Sequence, residues 1–199
     1  MAVYSIEGSS ENCYSGTTVL INKLDIRNQS ELDKAEKQIT LLRAIQAEQN
    51  MILEKPNFQF FKDIHKFLFD DIYEWAGLVR TINISKKGTI FCDASQIEEI
   101  GKLKFERLKK QNYLKELKKE QFIDEISDLY NELNILHPFR EGNGRTLRLF
   151  ITLLIRNAGF DIDFSKCDPD IIMLSTINAA HGDISMLKFV FNEMMSMPD

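Results

Sequence analysis

The sequence predicts a mainly helical domain that carries one short β-hairpin. Apolar residues recur at helical spacing in several stretches of the 199-residue chain, and only one stretch places β-prone residues on both sides of a turn. No repeat, low-complexity tract or linker-like boundary interrupts the chain, which contains only four prolines. We therefore expect one all-α domain over residues 1–199, with its core at about residues 14–191.

Four helices follow from the apolar spacing. The first is expected from Ser30, as its N-cap, to about Asn50, and the second follows the apolar positions from Phe60 to Trp75 and stops before Gly77. A third helix has apolar residues at steps of four and three before His137, and the last one covers 187–194. The stripe of the third helix consists of Phe122, Ile126, Leu129, Leu133 and Leu136.

A β-hairpin is expected between the second and third helices. Val79–Ser85 and Thr89–Cys92 are β-prone, and the intervening Lys86-Lys87-Gly88 ends in a glycine that can adopt a positive φ. A surface turn between two helices remains the alternative.

The densest cluster of reactive side chains lies between His137 and Arg148, with the sequence HPFREGNGRTLR. Proline after His137 disfavours helical geometry at the histidine, so the preceding helix should end there. Gly142-Asn143-Gly144 suits a tight turn with free backbone N–H groups, and the apolar run Leu147–Ile155 predicts a helix directly after it. The sequence therefore predicts an anion site at a helix N-terminus.

The residue types around this loop suit a polyphosphate. Arg145 and Arg148 are three apart, so both should project toward the anion. Glu141 can give one oxygen ligand to Mg²⁺ while phosphates and waters supply the others. His137 can act as general base near neutral pH. A solvated helix-loop-helix corner is the alternative, but such a corner has no use for Gly-Asn-Gly between a glutamate and two arginines.

Composition agrees with an intracellular enzyme. A net charge of −5 argues against binding to nucleic acid or acidic membranes, which requires clustered positive charge. The three cysteines are far apart and imply neither a disulfide framework nor a zinc site. The N-terminus lacks a leader pattern, and apolar runs fall short of the ~20 residues that span a bilayer. We expect a soluble cytoplasmic protein, with delivery into another cell left open.

The segment from His137 to Arg148 resembles the motif His-Pro-Phe-x-(Asp/Glu)-Gly-Asn-Gly-Arg-x-x-Arg of the Fic family. The resemblance extends to Tyr14–Thr17 and, before the hairpin, to Ile64–Gly77 with Arg80-Thr81. It implies the Fic fold, with residues 137–148 as the catalytic loop. It also implies transfer of AMP from ATP to a Ser, Thr or Tyr hydroxyl of a target protein, with release of pyrophosphate.

The resemblance implies roles for individual residues. His137 would be the catalytic base, Glu141 would position Mg²⁺, and Arg148 would hold the γ-phosphate. The hairpin, about residues 79–92, would be a flap that binds an extended target segment by strand pairing. The nucleotide-binding residues would be Gly142, Asn143, Gly144, Arg145, Arg148 and, near the adenine, His181. The target-binding residues would be Lys86, Lys87, Gly88, Thr89, Ile90 and Phe91. His65, among apolar neighbours, is interpreted as a structural histidine.

The resemblance also implies a way in which the activity is inhibited. Many Fic proteins are restrained by a helix with Ser/Thr-x-x-x-Glu-Gly/Asn, whose glutamate pairs with the final motif arginine, here Arg148. Three glutamates of this chain precede Gly or Asn, but none has Ser or Thr four residues earlier: Glu7, Glu11 and Glu141. We therefore expect a separate small antitoxin protein to supply the glutamate.

Two other functions remain open at this level. One is a kinase-like phosphotransferase of the same superfamily, which moves the γ-phosphate. The other is a catalytically silent nucleotide-binding or interaction module. The sequence identifies neither the target protein nor the modified residue, and it excludes no other nucleotide as donor.

Overall fold

The computed structural model describes residues 4–6, 12–86 and 88–197. Within these residues the chain forms seven α-helices and two small antiparallel sheets, so the mainly helical fold class with a short hairpin is confirmed. The helices are α1 (Gln29–Asn50), α2 (Phe58–Phe69), α3 (Ile97–Lys110), α4 (Lys119–Leu136), α5 (Asn143–Asn157), α6 (Pro169–Ala180) and α7 (Ser185–Met194).

The predicted hairpin is present, with shorter strands than expected. Lys86 pairs with Thr89 across a two-residue turn, in which Gly88 has a φ of 81°. Lys87 lies outside the described residues. A strand near the N-terminus, which was not predicted, pairs with the first hairpin strand and leaves the second one at the outer edge. This sheet consists of β1 (Tyr4–Ile6), β2 (Ile84–Lys86) and β3 (Thr89–Ile90), and the second sheet of β4 (Asp161–Ile162) and β5 (Met195–Ser196).

Helix α5 lies in the centre of the helical core, packed against α1, α2 and α4. Phe150 of α5 meets Phe61 of α2 edge-on at a centroid distance of 5.4 Å. Phe61 also stacks, at 5.8 Å, on Phe139 from the loop between α4 and α5. All three rings are buried, so this loop is anchored in the core by its own aromatic residue.

Helix α6 differs from the other helices because it is apolar and yet largely exposed. Ile171 and Leu174 are 44% and 49% exposed, and only Ser175 and Ala179 are buried. It packs against α7 and α4. In the part of the chain that is described, no helix has both the length and the hydropathy that crossing a membrane would require.

Three predicted helix boundaries were wrong. Helix α1 begins two residues earlier, because the side chain of Asn28, not of Ser30, caps it by accepting the N–H of Glu31 at 3.2 Å. Helix α2 ends at Phe69 and the chain continues in turns, although Ile72 stays buried and so extends the apolar spacing. Helix α5 begins at Asn143 and includes most of the loop that was expected to precede it.

His65 of α2 connects the fold to the site. Its Nδ1 accepts the Gly77 N–H at 2.8 Å, so Nε2 carries the proton and donates to the carbonyl of Glu141 at 3.0 Å. The ring is fully buried and stacks on Phe139 at 3.8 Å. Burial lowers the pKa of His65 to about 3, so the ring is neutral. The geometry therefore agrees with the structural role expected from the sequence.

Candidate active site

The loop between α4 and α5 is closed by one side-chain amide. Asn143, the first residue of α5, donates from Nδ2 to the carbonyl of Phe139 at 2.7 Å and accepts the Phe139 N–H on Oδ1 at 2.8 Å. Asn143 is only 5% exposed, so water does not compete for these bonds. Its side chain therefore fixes the loop conformation.

His137 lies at the point where α4 ends. Its backbone is left-handed, with a φ of 41°, which ends the helix before Pro138 as the sequence predicted. The ring Nδ1 is 3.0 Å from the carbonyl of Asn134. A carbonyl only accepts, so Nδ1 carries the proton and Nε2 is the basic nitrogen. The imidazole stacks on Phe91 of the flap at a centroid distance of 3.7 Å and an interplanar angle of 11°.

The surroundings keep His137 neutral. Burial lowers its pKa to about 3, the hydrogen bond to Asn134 opposes this, and the positive charges of Lys86 and Arg80 lower it further. At neutral pH the imidazole is therefore in the form that can accept a proton. An anionic ligand beside the ring would raise this pKa, because negative charge favours the imidazolium.

The N-terminus of α5 offers backbone donors to an anion. Gly142 precedes the helix with a φ of 81°, and a Cβ there would lie 2.3 Å from the ring of Phe69. Only glycine, which lacks a Cβ, fits both the positive φ and the close approach of the Phe69 ring. The first helical bond runs from the Thr146 N–H to the Gly142 carbonyl at 3.0 Å, so helix geometry gives the amides of residues 143–145 no intrahelical acceptor. This arrangement suits phosphate.

Arg145 is held by a carboxylate that the sequence analysis missed. Its Nη2 donates to Glu36 of α1 at 2.5 Å and lies 3.4 Å from Glu141, while the guanidinium covers the Phe69 ring at 4.7 Å. Burial disfavours the charge on Arg145, but Glu36 and Glu141 outweigh it and raise the pKa of Arg145. Glu36 also accepts a hydrogen bond from the Tyr73 hydroxyl.

A sequence signal for Glu36 exists. It lies four residues after Leu32 and four before Thr40, and all three are buried, so a charged residue occupies the inward face of α1. Burial raises the pKa of Glu36, and the charge of Arg145 partly offsets this rise. A carboxylate on a buried helix face requires a cationic partner, but the sequence does not say which one.

Arg148 and Glu141 remain available for ligands. Arg148 is exposed, and its guanidinium makes no hydrogen bond or ion pair with any described residue. Glu141 Oε1 accepts the Gly142 N–H at 2.8 Å, and no described residue bonds to Oε2. Among the described residues, no group of three or more His, Cys, Asp or Glu side chains could enclose a metal ion. Glu141 thus fits a Mg²⁺ that takes one protein ligand, with substrate oxygens as the others.

A cavity of about 280 Å³ lies between the catalytic loop, the flap and α6. It brings together six predicted site residues from the loop and three from the flap: His137, Glu141, Gly142, Gly144, Arg145, Arg148, Lys86, Thr89 and Phe91. Four lining residues were not predicted: Asn134, Met173, Thr176 and Ile177. The last three belong to α6, which carries no sequence motif.

Four of the predicted residues that the structure describes lie outside this lining. The side chain of Asn143 is hydrogen-bonded to the backbone of Phe139. His181 is exposed at the C-terminal end of α6, where its Nδ1 lies 2.8 Å from the carbonyl of Ile177. Gly88 and Ile90 lie at the turn and the outer strand of the flap.

Two of the flap residues expected to bind the target, Ile90 and Phe91, point in different directions. Phe91 is 9% exposed and covers His137, whereas Ile90 is 82% exposed. The Phe91 N–H is directed at Ile84 of β2, at 3.5 Å, so the N–H and carbonyl of the preceding Ile90 are directed away from β2. Ile90 therefore presents the hydrogen-bonding groups of the outer edge of β3.

Comparison with known proteins agrees with this geometry. The model of the Fic/DOC family matches residues 55–155. A probable protein adenylyltransferase Fic of Escherichia coli (strain K12) is 31% identical over 190 residues, covering 96% of this chain and 94% of the relative. A probable protein adenylyltransferase y4lH of Sinorhizobium fredii is 36% identical over 184 residues, covering 92% of this chain and 94% of the relative.

Solved structures of similar fold come from Bartonella. The BepC protein of Bartonella tribocorum with bound AMPPNP superposes with a TM-score of 0.88 at 26% identity, covering 95% of this chain and 98% of that chain. The N-terminal Fic domain of a putative cell filamentation protein of Bartonella quintana, with bound ADP, has a TM-score of 0.89 at 28% identity. This match covers 95% of this chain and 96% of that chain. With the family model, two relatives above 30% identity and the fold in agreement, this chain belongs to the Fic/DOC family.

Proposed function

We propose that this chain is a protein adenylyltransferase, which transfers AMP from ATP to a Ser, Thr or Tyr hydroxyl of a target protein and releases pyrophosphate. The observation that carries this proposal is a single cavity lined by a neutral histidine, the N-terminus of a helix and Arg148. The names of the relatives and the nucleotides bound in similar structures support the same activity.

His137 serves as the general base. Its Nε2 takes the proton of the target hydroxyl while the hydroxyl oxygen attacks the α-phosphorus of ATP. The bond from this phosphorus to the bridging oxygen breaks, and pyrophosphate leaves with the bonding electrons. The hydrogen bond from Nδ1 to Asn134, at 3.0 Å, keeps Nε2 in the basic form and fixes the ring orientation.

The start of α5 binds the phosphates. The amides of residues 143–145 donate to phosphate oxygens, and Arg148, which has no described partner, pairs with the terminal phosphate. Arg145 borders the same cavity but is held by Glu36, so it adds a fixed charge. Glu141 would hold a Mg²⁺, which would supply positive charge to the phosphates.

The nucleobase is proposed to lie against α6. Met173, Thr176 and Ile177 line the cavity on the side of this helix and give it an apolar wall with one hydroxyl. His181, one turn after Ile177, caps α6 outside this wall, so its contact with adenine stays a prediction.

The first test concerns the reaction. Purified protein with α-labelled ATP and Mg²⁺ should label target proteins in a lysate, whereas γ-labelled ATP should not. His137→Ala should lower transfer at least about 10²–10⁴-fold, as expected for loss of a general base, with ATP affinity nearly unchanged. Asp63→Ala, on the exposed face of α2 and away from the cavity, is the control and should retain transfer.

Each alternative function has its own outcome in this assay. Label from γ-labelled ATP alone would show a phosphotransferase. Nucleotide binding without any transfer would show a silent module. Wild-type transfer by His137→Ala would refute the role of the base.

The second test concerns Mg²⁺. Glu141→Ala should raise the Mg²⁺ concentration needed for half-maximal transfer and weaken ATP binding, because it removes the one carboxylate among the described residues that line the cavity. A Mg²⁺ titration of activity and of ATP binding measures both effects. Glu36 is not a suitable control because it holds Arg145, whereas Asp63, on the exposed face of α2, is suitable. Equal Mg²⁺ dependence in Glu141→Ala and Asp63→Ala would contradict the assignment.

The target protein is proposed to bind the outer edge of β3. Strand β1 already pairs with β2, so β3 forms one edge of this sheet, and no described strand pairs with its outer side. An extended target segment can add there as a further strand, held by the N–H and carbonyl of Ile90.

The third test separates backbone pairing from side-chain contact at this edge. Ile90→Pro removes an N–H that makes no bond within the hairpin, so the flap should persist. The KM for the target protein should rise about five- to tenfold, as one lost hydrogen bond predicts. Ile90→Val, which keeps the N–H, should behave like wild type. Equal kinetics of both variants toward the target would place its binding elsewhere.

A separate small helical protein is proposed as the inhibitor. Arg148 is exposed and unpaired by the described residues, and the exposed apolar side chains Ile171 and Leu174 belong to α6, which borders the same cavity. Glu7 and Glu11, two of the three glutamates that precede Gly or Asn, lie outside the described residues.

The fourth test uses a helical peptide that carries Ser-x-x-x-Glu-Gly. It should inhibit transfer by the purified chain, because its glutamate would pair with Arg148 and prevent docking of the γ-phosphate. The same peptide with its glutamate replaced by glycine is the control. If the purified chain is inactive until one of its own glutamates is replaced, inhibition is internal and the proposal fails.

A further inference from the structure

We propose that Arg80 is a positioning residue that couples the flap to the catalytic histidine. This proposal rests on the adenylyltransferase function above and adds a residue to its machinery. None of the predicted site roles involved Arg80.

The side chain of Arg80 holds three carbonyl groups at once. Its Nε donates to His137 at 2.9 Å, Nη1 to Ile82 at 2.6 Å and Nη2 to Cys92 at 2.5 Å. Ile82 precedes β2 and Cys92 follows β3, so one guanidinium joins the two ends of the flap to the histidine. The backbone N–H of Arg80 adds a bond to Pro138 at 2.9 Å.

This cluster needs an arginine in particular. Arg80 is 5% exposed, and no carboxylate forms an ion pair with it among the described residues, so its charge is stabilised by carbonyl dipoles. Only the planar fork of a guanidinium presents donors in three fixed directions. A lysine at this position would keep the charge but could not reproduce that geometry.

The contact acts on His137 from two sides. The carbonyl of His137, a residue with a left-handed backbone, accepts a hydrogen bond from Arg80. The ring of His137 is covered by Phe91, which precedes Cys92 in the chain. A movement of the flap would therefore shift the peptide plane and the ring packing of the histidine together. Target binding at the outer edge of β3 would act on the base through the same connection.

Asn83 provides a matched control. Its side chain also joins the two ends of the flap, because Nδ2 bonds to Asp93 at 3.1 Å and Oδ1 accepts the Ala94 N–H at 2.8 Å. Neither of these two hydrogen bonds involves His137. Asn83→Ala therefore loosens the flap without removing the connection to the histidine.

The experiment compares Arg80→Lys with Asn83→Ala in the full chain. Steady-state kinetics should show that Arg80→Lys lowers kcat by about tenfold or more, as a displaced reacting group would, with the KM for ATP within about twofold. Asn83→Ala should change mainly the KM for the target. Hydrogen exchange should become faster in residues 82–92 in both variants, and in residues 133–139 only in Arg80→Lys.

Three results would overturn the proposal. The first is an unchanged kcat in Arg80→Lys, and the second is an equal loss of kcat in both variants. The third is loss of ATP binding in Arg80→Lys, which would show that Arg80 only stabilises the fold. If the wild-type chain transfers no AMP, the proposed function fails instead. Hydrogen exchange would then still decide whether Arg80 joins the flap to His137.

Discussion

The paired hydrogen bonds between Asn143 and the backbone of Phe139 are the constraint on which the rest of the site depends. They close the short loop between α4 and α5, while the Phe139 ring, between His65 and Phe61, attaches that loop to the core. The proposed base His137 at one end of the loop and the amides at the other therefore have a fixed separation. A preorganised pair of this kind needs little rearrangement when the nucleotide arrives.

The positive charges of the site are not equivalent. Arg145 is largely compensated, because Glu36 accepts its hydrogen bond and Glu141 lies nearby. Arg148 is exposed and has no such partner among the described residues. The attraction for a polyphosphate thus comes chiefly from Arg148, Lys86 and the N-terminus of α5, whereas Arg145 shapes the wall of the cavity.

Local features of the site could be predicted from the sequence, and long-range ones could not. Proline after His137 sets the backbone of its neighbour, so the end of α4 at the loop was readable, whereas α5 begins at Asn143, earlier than expected. Glu36 reaches Arg145 across 109 positions of the chain, and Phe91 stacks on a histidine of another element. Neither contact has a period or spacing that a sequence pattern could reveal, since both depend on how helices and flap pack.

The charge around His137 also links base strength to nucleotide binding. With Phe91 stacked on the ring, burial and the nearby cations Lys86 and Arg80 hold the imidazole neutral but weakly basic. Bound phosphates would offset these cations and raise the pKa of His137 toward its ordinary value, where a base transfers protons most effectively near neutral pH. The histidine would then become an efficient base only when its phosphate substrate is in place, and the same charges that attract the nucleotide would suppress proton uptake from water in its absence.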